Sequence, residues 1–238
     1  KVNVYIDWFN LYYALQKKIY DQNSQWKKEY QWCNFRQLFS NFLNEDEELN
    51  TVYFFSAYRK WNDGVTKRHK IYVEALTKHN IKPILGNYQS KTNTYRQGKH
   101  KIAEIIYDGS LDEQEKCKKL LKLLAYKTFE EKETDVKIAL QITEDAFLNN
   151  FDHAYIVSWD SDITPAIYSI KRLVKSKQLS HKLFSSILIP WTKWRKIRDL
   201  CDFQHDITAK QMEDSLLAHT IQINETRTIS IPSEWLVG

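Results

Sequence analysis

The chain opens on a nearly uninterrupted apolar run, VNVYIDWF at residues 2–9, which reads as a short strand. Four more runs carry the β-branched and aromatic residues of strands: TVYFFSAY at 51–58, IKPILGNYQ at 81–89, FDHAYIVSWD at 151–160 and SSILIPW at 185–191. The fourth is continuously apolar rather than alternating, as expected of a strand buried on both faces. Between these runs, apolar positions recur at helical spacing. Leu11 to Ile19 continues the first run as a helix. Asn34 to Leu43 places Phe35, Leu38, Phe39 and Phe42 on one face, and Lys67 to His79 places Ile71, Ala75 and Leu76 together. Cys117 to Leu124 is amphipathic. Thr134 to Leu148 predicts a helix with Thr134 as N-cap and an apolar stripe of Val136, Ala139, Leu140, Ala146 and Phe147. Pro165 to Val174 predicts a helix with proline in its first turn. Thr92 to Glu113 is polar and predicts a loop with a helix inside it. Near the end, the pattern predicts a helix around Met212 to Leu217 and an extended segment, TISIPSEWLVG.

Strand–helix alternation of this kind predicts an α/β fold: a central, mostly parallel five-stranded sheet flanked by helices on both faces. In such sheets ligands bind beyond the carboxyl ends of the strands, where the strand order reverses. The residues that directly follow each strand are therefore the ones to search for chemistry. The 238 residues suit one large domain, residues 1–200, with residues 201–238 as a helix and extended segment packed on it.

Composition changes the picture only a little. Hydrophobic residues make up 42% and charged residues 27%, the balance of an ordinary globular protein. Gly (5) and Pro (4) are too few for collagen-like or Pro/Gly-rich disordered chains. No run approaches the roughly 18 apolar residues of a membrane span, and no leader pattern opens the chain. The three cysteines, Cys33, Cys117 and Cys201, are far apart and form no C-x-x-C. They predict reduced thiols and a cytoplasmic setting rather than a disulfide or zinc framework.

Charge is unevenly spread. From Tyr58 to Lys101 there are eleven Lys or Arg against Asp63 and Glu74, and from Ile163 to Arg198 nine Lys or Arg and no acid. Basic blocks on a chain of net charge +5 point to a polyanion, most simply nucleic acid, or else to solvated helix faces.

Acids appear at the strand ends. The first strand is followed by Asp7 and then Asn10. The fourth is followed by Ser158, Asp160 and Asp162 in SWDSDI, and the helix that feeds it begins at Asp135. Singly, each has an ordinary explanation: Asp7 as a helix cap, Asp135 as a charge offsetting a helix dipole, Asp160 and Asp162 as turn residues. Together they place four carboxylates and an amide near one sheet edge. Mutual repulsion there is relieved by a hard cation such as Mg²⁺ or Mn²⁺, which prefers carboxylate and water oxygens. Such an ion can activate water against a phosphodiester.

These residues resemble a known family. VYIDWFNLYYAL is similar to the Y-I-D-G-x-N-L opening of the NYN domain family (LabA-like branch), which lies among the PIN-like metal-dependent nucleases. EKETDVKIALQITEDAF resembles its E-K-x-x-D-V segment, and YIVSWDSDITPAI its S-G-D-S-D-F segment. The three motifs stand in the family's order, and the resemblance spans roughly residues 2–200. It implies a PIN-like three-layer fold, an acidic pocket for Mg²⁺ or Mn²⁺, and hydrolysis of RNA, with cleavage inside the strand the expected mode. Asp7, Asp135, Asp160 and Asp162 would be catalytic acids and metal ligands, and Asn10 would orient a ligand or water. Ser158 would bond a carboxylate or phosphate, and Lys132 of the E-K pair would reach the pocket or a phosphate. PIN-like folds often dimerise, so a homodimer is also expected.

Two positions depart from the family pattern: Trp8 and Trp159 stand where it has glycine. They would fill part of the groove, stack on bases and so favour single-stranded RNA, or pack on one another as core aromatics. Arg59, Lys60, Arg68, Lys91 and Arg96 are phosphate-contact candidates, with Trp61, Tyr88 and Tyr95 interleaved as stacking candidates. Two rivals stand beside the ribonuclease reading. One is a non-catalytic RNA-binding or adaptor protein that keeps the fold. The other is a haloacid-dehalogenase-like phosphatase, because DSDIT at 160–164 mimics D-x-D-x-T. That motif, however, belongs on a first strand, and no acidic pair follows the fifth strand. The seven histidines show no H-x-x-x-H or H-x-H spacing, and P-loop, Rossmann and G-x-S-x-G patterns are absent.

Overall fold

The computed structural model describes residues 1–21, 25–59, 61–94, 99–189 and 196–236, without the side chains of 91–94, 99–101 and 121–127. The candidates Lys60, Tyr95 and Arg96, and the side chain of Lys91, lie outside the described residues. The chain divides into two compact units, residues 1–86 with 133–238, and residues 87–132.

The larger unit is built on β1 (Val2–Asp7), which is buried at all six positions. Helix α1 (Trp8–Ile19) follows directly, with Asp7 as its N-cap. A short 3₁₀ turn, Lys28–Trp32, leads to α2 (Phe35–Ser40), capped by Asn34. Then come β2 (Leu49–Ser56), α3 (Asp63–Lys78) and β3 (Ile81–Leu85). In the smaller unit, β4 (Asn87–Thr94) and β5 (Ala125–Lys132) pair antiparallel from Asn87 with Lys132 to Thr94 with Ala125. They enclose α4 (Lys99–Tyr107) and α5 (Glu113–Leu124). The larger unit resumes with α6 (Thr134–Phe147), β6 (His153–Val157), α7 (Thr164–Lys175) and β7 (Leu183–Leu188). It closes with α8 (Lys196–Leu200), β8 (Phe203–Asp206), α9 (Ala209–Asp214), the hairpin strands β9 (Thr220–Asn224) and β10 (Arg227–Ser230), and α10 (Ser233–Leu236).

The central sheet runs β3-β2-β1-β6-β7-β8, and every neighbouring pair is parallel. It thus has six strands rather than the expected five. The extra one, β8, is short and mostly exposed, so FQHD shows no apolar run from which to read it. The order reverses between β1 and β6, which makes their carboxyl ends the switch point of the sheet. Two apolar cores cover the two faces. One joins α1, α2 and α3 to the C-terminal segment, through Trp8, Phe35, Phe54, Tyr72, Met212 and Trp235 among others. The other joins α6, α7 and α8 through Ile138, Ile142, Ile167, Ile170 and Ile197.

Several sequence expectations need correction. The run IKPILGNYQ is two strands, not one: β3 stays in the central sheet, while β4 leaves it after Gly86 for the smaller unit. Residues 125–132, for which the apolar pattern gives no element, form β5. The cap of α6 is Glu133, in a left-handed conformation, and Thr134 is its buried first residue. The buried face of α6 is Ile138, Ile142 and Ala146, at spacing i, i+4, i+8. Val136, Leu140 and Phe147 of the expected stripe are exposed. The sequence offers two apolar stripes on this helix, and only packing against α7 and the sheet selects between them.

Beneath α6, β1 supports a buried polar network. Asp145, 1% exposed, accepts from Tyr5 Oη at 2.7 Å, Asn150 Nδ2 at 3.0 Å, Asn3 Nδ2 at 3.2 Å, Gln141 Nε2 at 3.2 Å and Tyr53 Oη at 3.3 Å. Burying a charge costs several kcal/mol unless hydrogen bonds repay it, and here five donors surround one carboxylate. Replacing Asp145 with Ala strands those donors and should lower stability by about 3 kcal/mol. Urea unfolding measures this, and a loss below about 1 kcal/mol would show that the network does not hold α6 to β1 and β2.

Candidate metal-dependent site at the switch point

Asp7 ends β1 and caps α1, with its Oδ1 accepting from the Asn10 backbone N–H at 3.1 Å. The apolar sequence of β1 carries the chain into the core, and the helix begins at the next residue, so the carboxylate is trapped at 1% exposure. Its other oxygen accepts from Asn10 Nδ2 and from Ser158 Oγ at 3.0 Å. Ser158 follows β6, so this contact bridges the two strands of the switch point. The Trp159 backbone N–H donates to Asn10 Oδ1 at 3.2 Å, and the Asp160 N–H to Ser158 Oγ at 3.0 Å. Asp160 Oδ1 caps the following 3₁₀ turn by accepting from the Asp162 N–H at 2.9 Å.

Burial pushes the Asp7 carboxyl up to about 7. The bonds from Asn10 and Ser158 oppose this, and the negative charges of Asp135 and Asp160 add to it. The structure thus brings Asp7, Asn10, Ser158 and Asp160 into one bonded cluster and sets Asp135, in the first turn of α6, within electrostatic reach of Asp7. Asp162 is exposed and joins through its backbone N–H alone among the contacts described.

The residue set fits one kind of ion. Among the described residues, no three His, Cys, Asp or Glu side chains are gathered closely enough to hold a metal. The donors at the switch point are nevertheless hard oxygens around a carboxylate whose strongest neighbouring charges are negative. Mg²⁺ keeps several waters and is commonly bound through one or two carboxylates. The cluster suits a water-rich ion of that type and not one fully wrapped by protein.

The remaining candidates are dispersed. Trp8 is 6% exposed and packs among Tyr12, Phe35, Phe54, His69 and Tyr72. Trp159 is half-buried at the edge of the same core. Arg59 follows β2 and donates to Tyr13 Oη at 2.8 Å. Arg68, on α3, pairs with Glu234 at 2.6 Å. Its neighbour His69 is buried and bonded through Nε2 to Ser56 Oγ at 3.1 Å. Burial and the Arg59 charge push that imidazole down to about 4, so it is neutral at pH 7. Lys132 belongs to β5 of the smaller unit, where it pairs with Glu130 at 2.9 Å. Trp61 is exposed. The approach of Glu234 to Arg68 and of Trp235 to Trp32 and Tyr72 is long-range and leaves no local signal in the sequence.

The raised carboxyl of Asp7 fixes the sign of a pH effect. Its level is above that of the unfolded chain, so stability falls as pH rises from about 4 to about 7. Without divalent metal, Asp7→Asn should therefore be more stable than wild type at pH 8, by on the order of 3 kcal/mol, and the gain should vanish near pH 4. Thermal unfolding with EDTA at the two pH values checks this, and equal stability at pH 8 would mean that the carboxylate is better solvated than its position suggests.

The NYN domain family model matches residues 1–187, and the chain belongs to that family, which is of nuclease type. No curated protein matches the chain. Among solved structures, a protein of unknown function from Vibrio parahaemolyticus is similar over 91% of this chain and 95% of its own, at 17% identity and a TM-score of 0.49. No helix among the described residues is long and apolar enough to cross a membrane.

Proposed function

We propose that this NYN-domain protein is a Mg²⁺- or Mn²⁺-dependent ribonuclease that hydrolyses phosphodiester bonds in single-stranded RNA, cutting within the strand. The observation that carries the reading is Asp7. It is a buried carboxylate at the sheet's switch point, and the strongest charges acting on it, Asp135 and Asp160, are also negative. A cation relieves that repulsion, and nucleases of this family type generally depend on a divalent metal. Asp7 and Asp160 would be the principal ligands, with Asp135 and Asp162 acting directly or through water. The ion, when bound, supplies a water of lowered pKa and neutralises charge at the leaving oxygen.

The chain's own residues do the positioning. Asn10 and Ser158 between them donate to both oxygens of Asp7 and fix its plane. The Asp162 N–H turns the Asp160 carboxylate, and the bond from Trp159 N–H to Asn10 ties the loop after β6 to α1. These contacts link β1, α1 and the β6 loop, so the acids are oriented before any substrate arrives, as catalysis by positioning requires.

A binding-only reading has one observation in its favour: no three-ligand cluster exists among the described residues. One assay separates the two. End-labelled single-stranded RNA is incubated with Mn²⁺, Mg²⁺ or EDTA, using wild type, Asp7→Asn and Asp160→Asn. Cleavage should require metal, and each variant should lose on the order of 100-fold or more in rate while remaining folded by circular dichroism. Metal-independent cleavage, or wild-type rates in Asp160→Asn, would remove the assigned site. Salt-sensitive RNA binding with no cleavage would establish the binding-only reading instead.

A further inference from the structure

The α1 and α3 face of the larger unit also carries a cavity. A pocket of about 80 Å³ is walled by Trp8, Phe9 and Tyr12 of α1 and by Trp235 of the C-terminal turn, with Arg59 and Arg68 as its charged lining. Trp8 and Phe9 directly follow Asp7, so the pocket adjoins the acidic cluster along the chain. Among the described residues that line it, two are arginines and none is acidic. Two guanidiniums among aromatic walls are a setting that suits an oxyanion such as a phosphoryl group. The Tyr12 hydroxyl senses both guanidiniums, which act on it in the same direction against the effect of burial. His69, also in the lining, is bonded to Ser56 and neutral, so the two arginines supply the positive charge.

One anion already sits at the rim. Glu234 Oε1 lies 2.6 Å from Arg68 Nη1, and the Glu234 side chain is 55% exposed while that of Arg68 is 27% exposed. Its neighbour Trp235 is held in the core against Trp32 and Tyr72. The turn that carries both residues, α10, lies beyond the segment matched by the family, residues 1–187. It is anchored by an aromatic side chain and presents a carboxylate to an arginine.

We propose that this pocket is a phosphate subsite controlled by the C-terminal turn: Glu234 occupies Arg68 as an internal anion, and a phosphate of the RNA strand displaces it. The proposal deepens the ribonuclease reading and rests on it for the identity of the strand. The bidentate guanidinium favours phosphate geometry over a single carboxylate oxygen, and an exposed ion pair is weak enough to be exchanged. The subsite would take either an internal phosphate or the monophosphate at a chain end.

The test is RNA binding by the full chain in EDTA, followed by fluorescence anisotropy across a KCl series. The probes are one single-stranded RNA with a 5′-phosphate and the same RNA with a 5′-hydroxyl. Removing the competing charge in Glu234→Gln should tighten binding by about two- to fivefold. Arg68→Gln should weaken it by about tenfold and flatten the slope of log K against log salt by about one. In the double variant the gain from Glu234→Gln should disappear, because the two groups act on one phosphate. An effect confined to the 5′-phosphorylated RNA assigns the chain end, and an equal effect on both assigns an internal phosphate. Unchanged binding in Glu234→Gln, or a gain that survives Arg68→Gln, would overturn the proposal. Should Arg68→Gln fail to fold, Arg68→Lys, which keeps charge but loses the fork, should still weaken binding, and wild-type affinity there would count equally against it. The two readings fail separately. Metal-dependent cleavage with no response to Glu234 removes the subsite alone. The binding pattern without cleavage removes the nuclease and leaves the subsite.

Discussion

A carboxylate buried where a parallel sheet reverses its strand order has to be held by something other than water, and the surroundings of Asp7 follow from that requirement. Water is excluded because β1 is buried on both faces and α1 starts at the next residue. The substitutes come from two directions. Asn10 is one helical turn along α1, so both its backbone N–H and its amide reach back to Asp7. Ser158 reaches across from the end of β6, the neighbouring strand. Three donors do not offset the burial of a charge beside two further carboxylates, and the group remains protonated up to about pH 7. Below that pH a proton meets the deficit.

The two tryptophans that break the family's glycine pattern impose no backbone cost. Among the described residues, positive φ occurs at Asn80, Glu133, Asn149 and Lys177, and at neither Trp8 nor Trp159. Glycine's conformational freedom is not required at either position. Trp8 instead supplies a large core side chain at the head of α1, against rings from α2, β2 and α3. Its indole also forms one wall of the neighbouring pocket. Trp159 contributes mainly through its backbone, which bonds Asn10. The substitutions therefore stiffen the ground under the acidic residues and leave the acids themselves in place.

What could be read from the sequence was set by how local each signal was. β1, β2 and β6 were legible because a strand buried on both faces writes a continuous apolar run. The acids were legible because they sit directly after those runs, where an α/β sheet places its ligands. β8 and β5 were not, since FQHD and AYKTFEEK are polar and owe their extended form to partners distant in sequence. The face of α6 was misread because Val136, Leu140 and Phe147 are as apolar as Ile138, Ile142 and Ala146. Only Ile167 and Ile170 of α7, with the sheet beneath, decide which set is covered. Glu234 and Trp235 stand in IPSEW, which fits the family pattern only weakly, and their contacts with Arg68 and Trp32, each more than 150 positions away in the chain, leave no local signal.

The contrast between two buried aspartates on the sheet separates structure from chemistry. Asp145 and Asp7 are each 1% exposed, and both touch β1 or belong to it. Asp145 is ringed by five side-chain donors from β1, β2, α6 and the turn after α6. Its lone pairs are spoken for, so the network fixes α6 to the sheet and has little capacity for a ligand. Asp7 has fewer donors, supplied by Asn10 and Ser158 alone among the contacts described, and its nearest influential charges repel it. Saturation marks the first as a structural group, and the second is left under-compensated. The fold can tolerate the deficit because the other end of the same strand is so firmly tied. Rigid, fully bonded elements thus hold an under-compensated carboxylate in a fixed orientation, the condition that pre-organisation of a site requires.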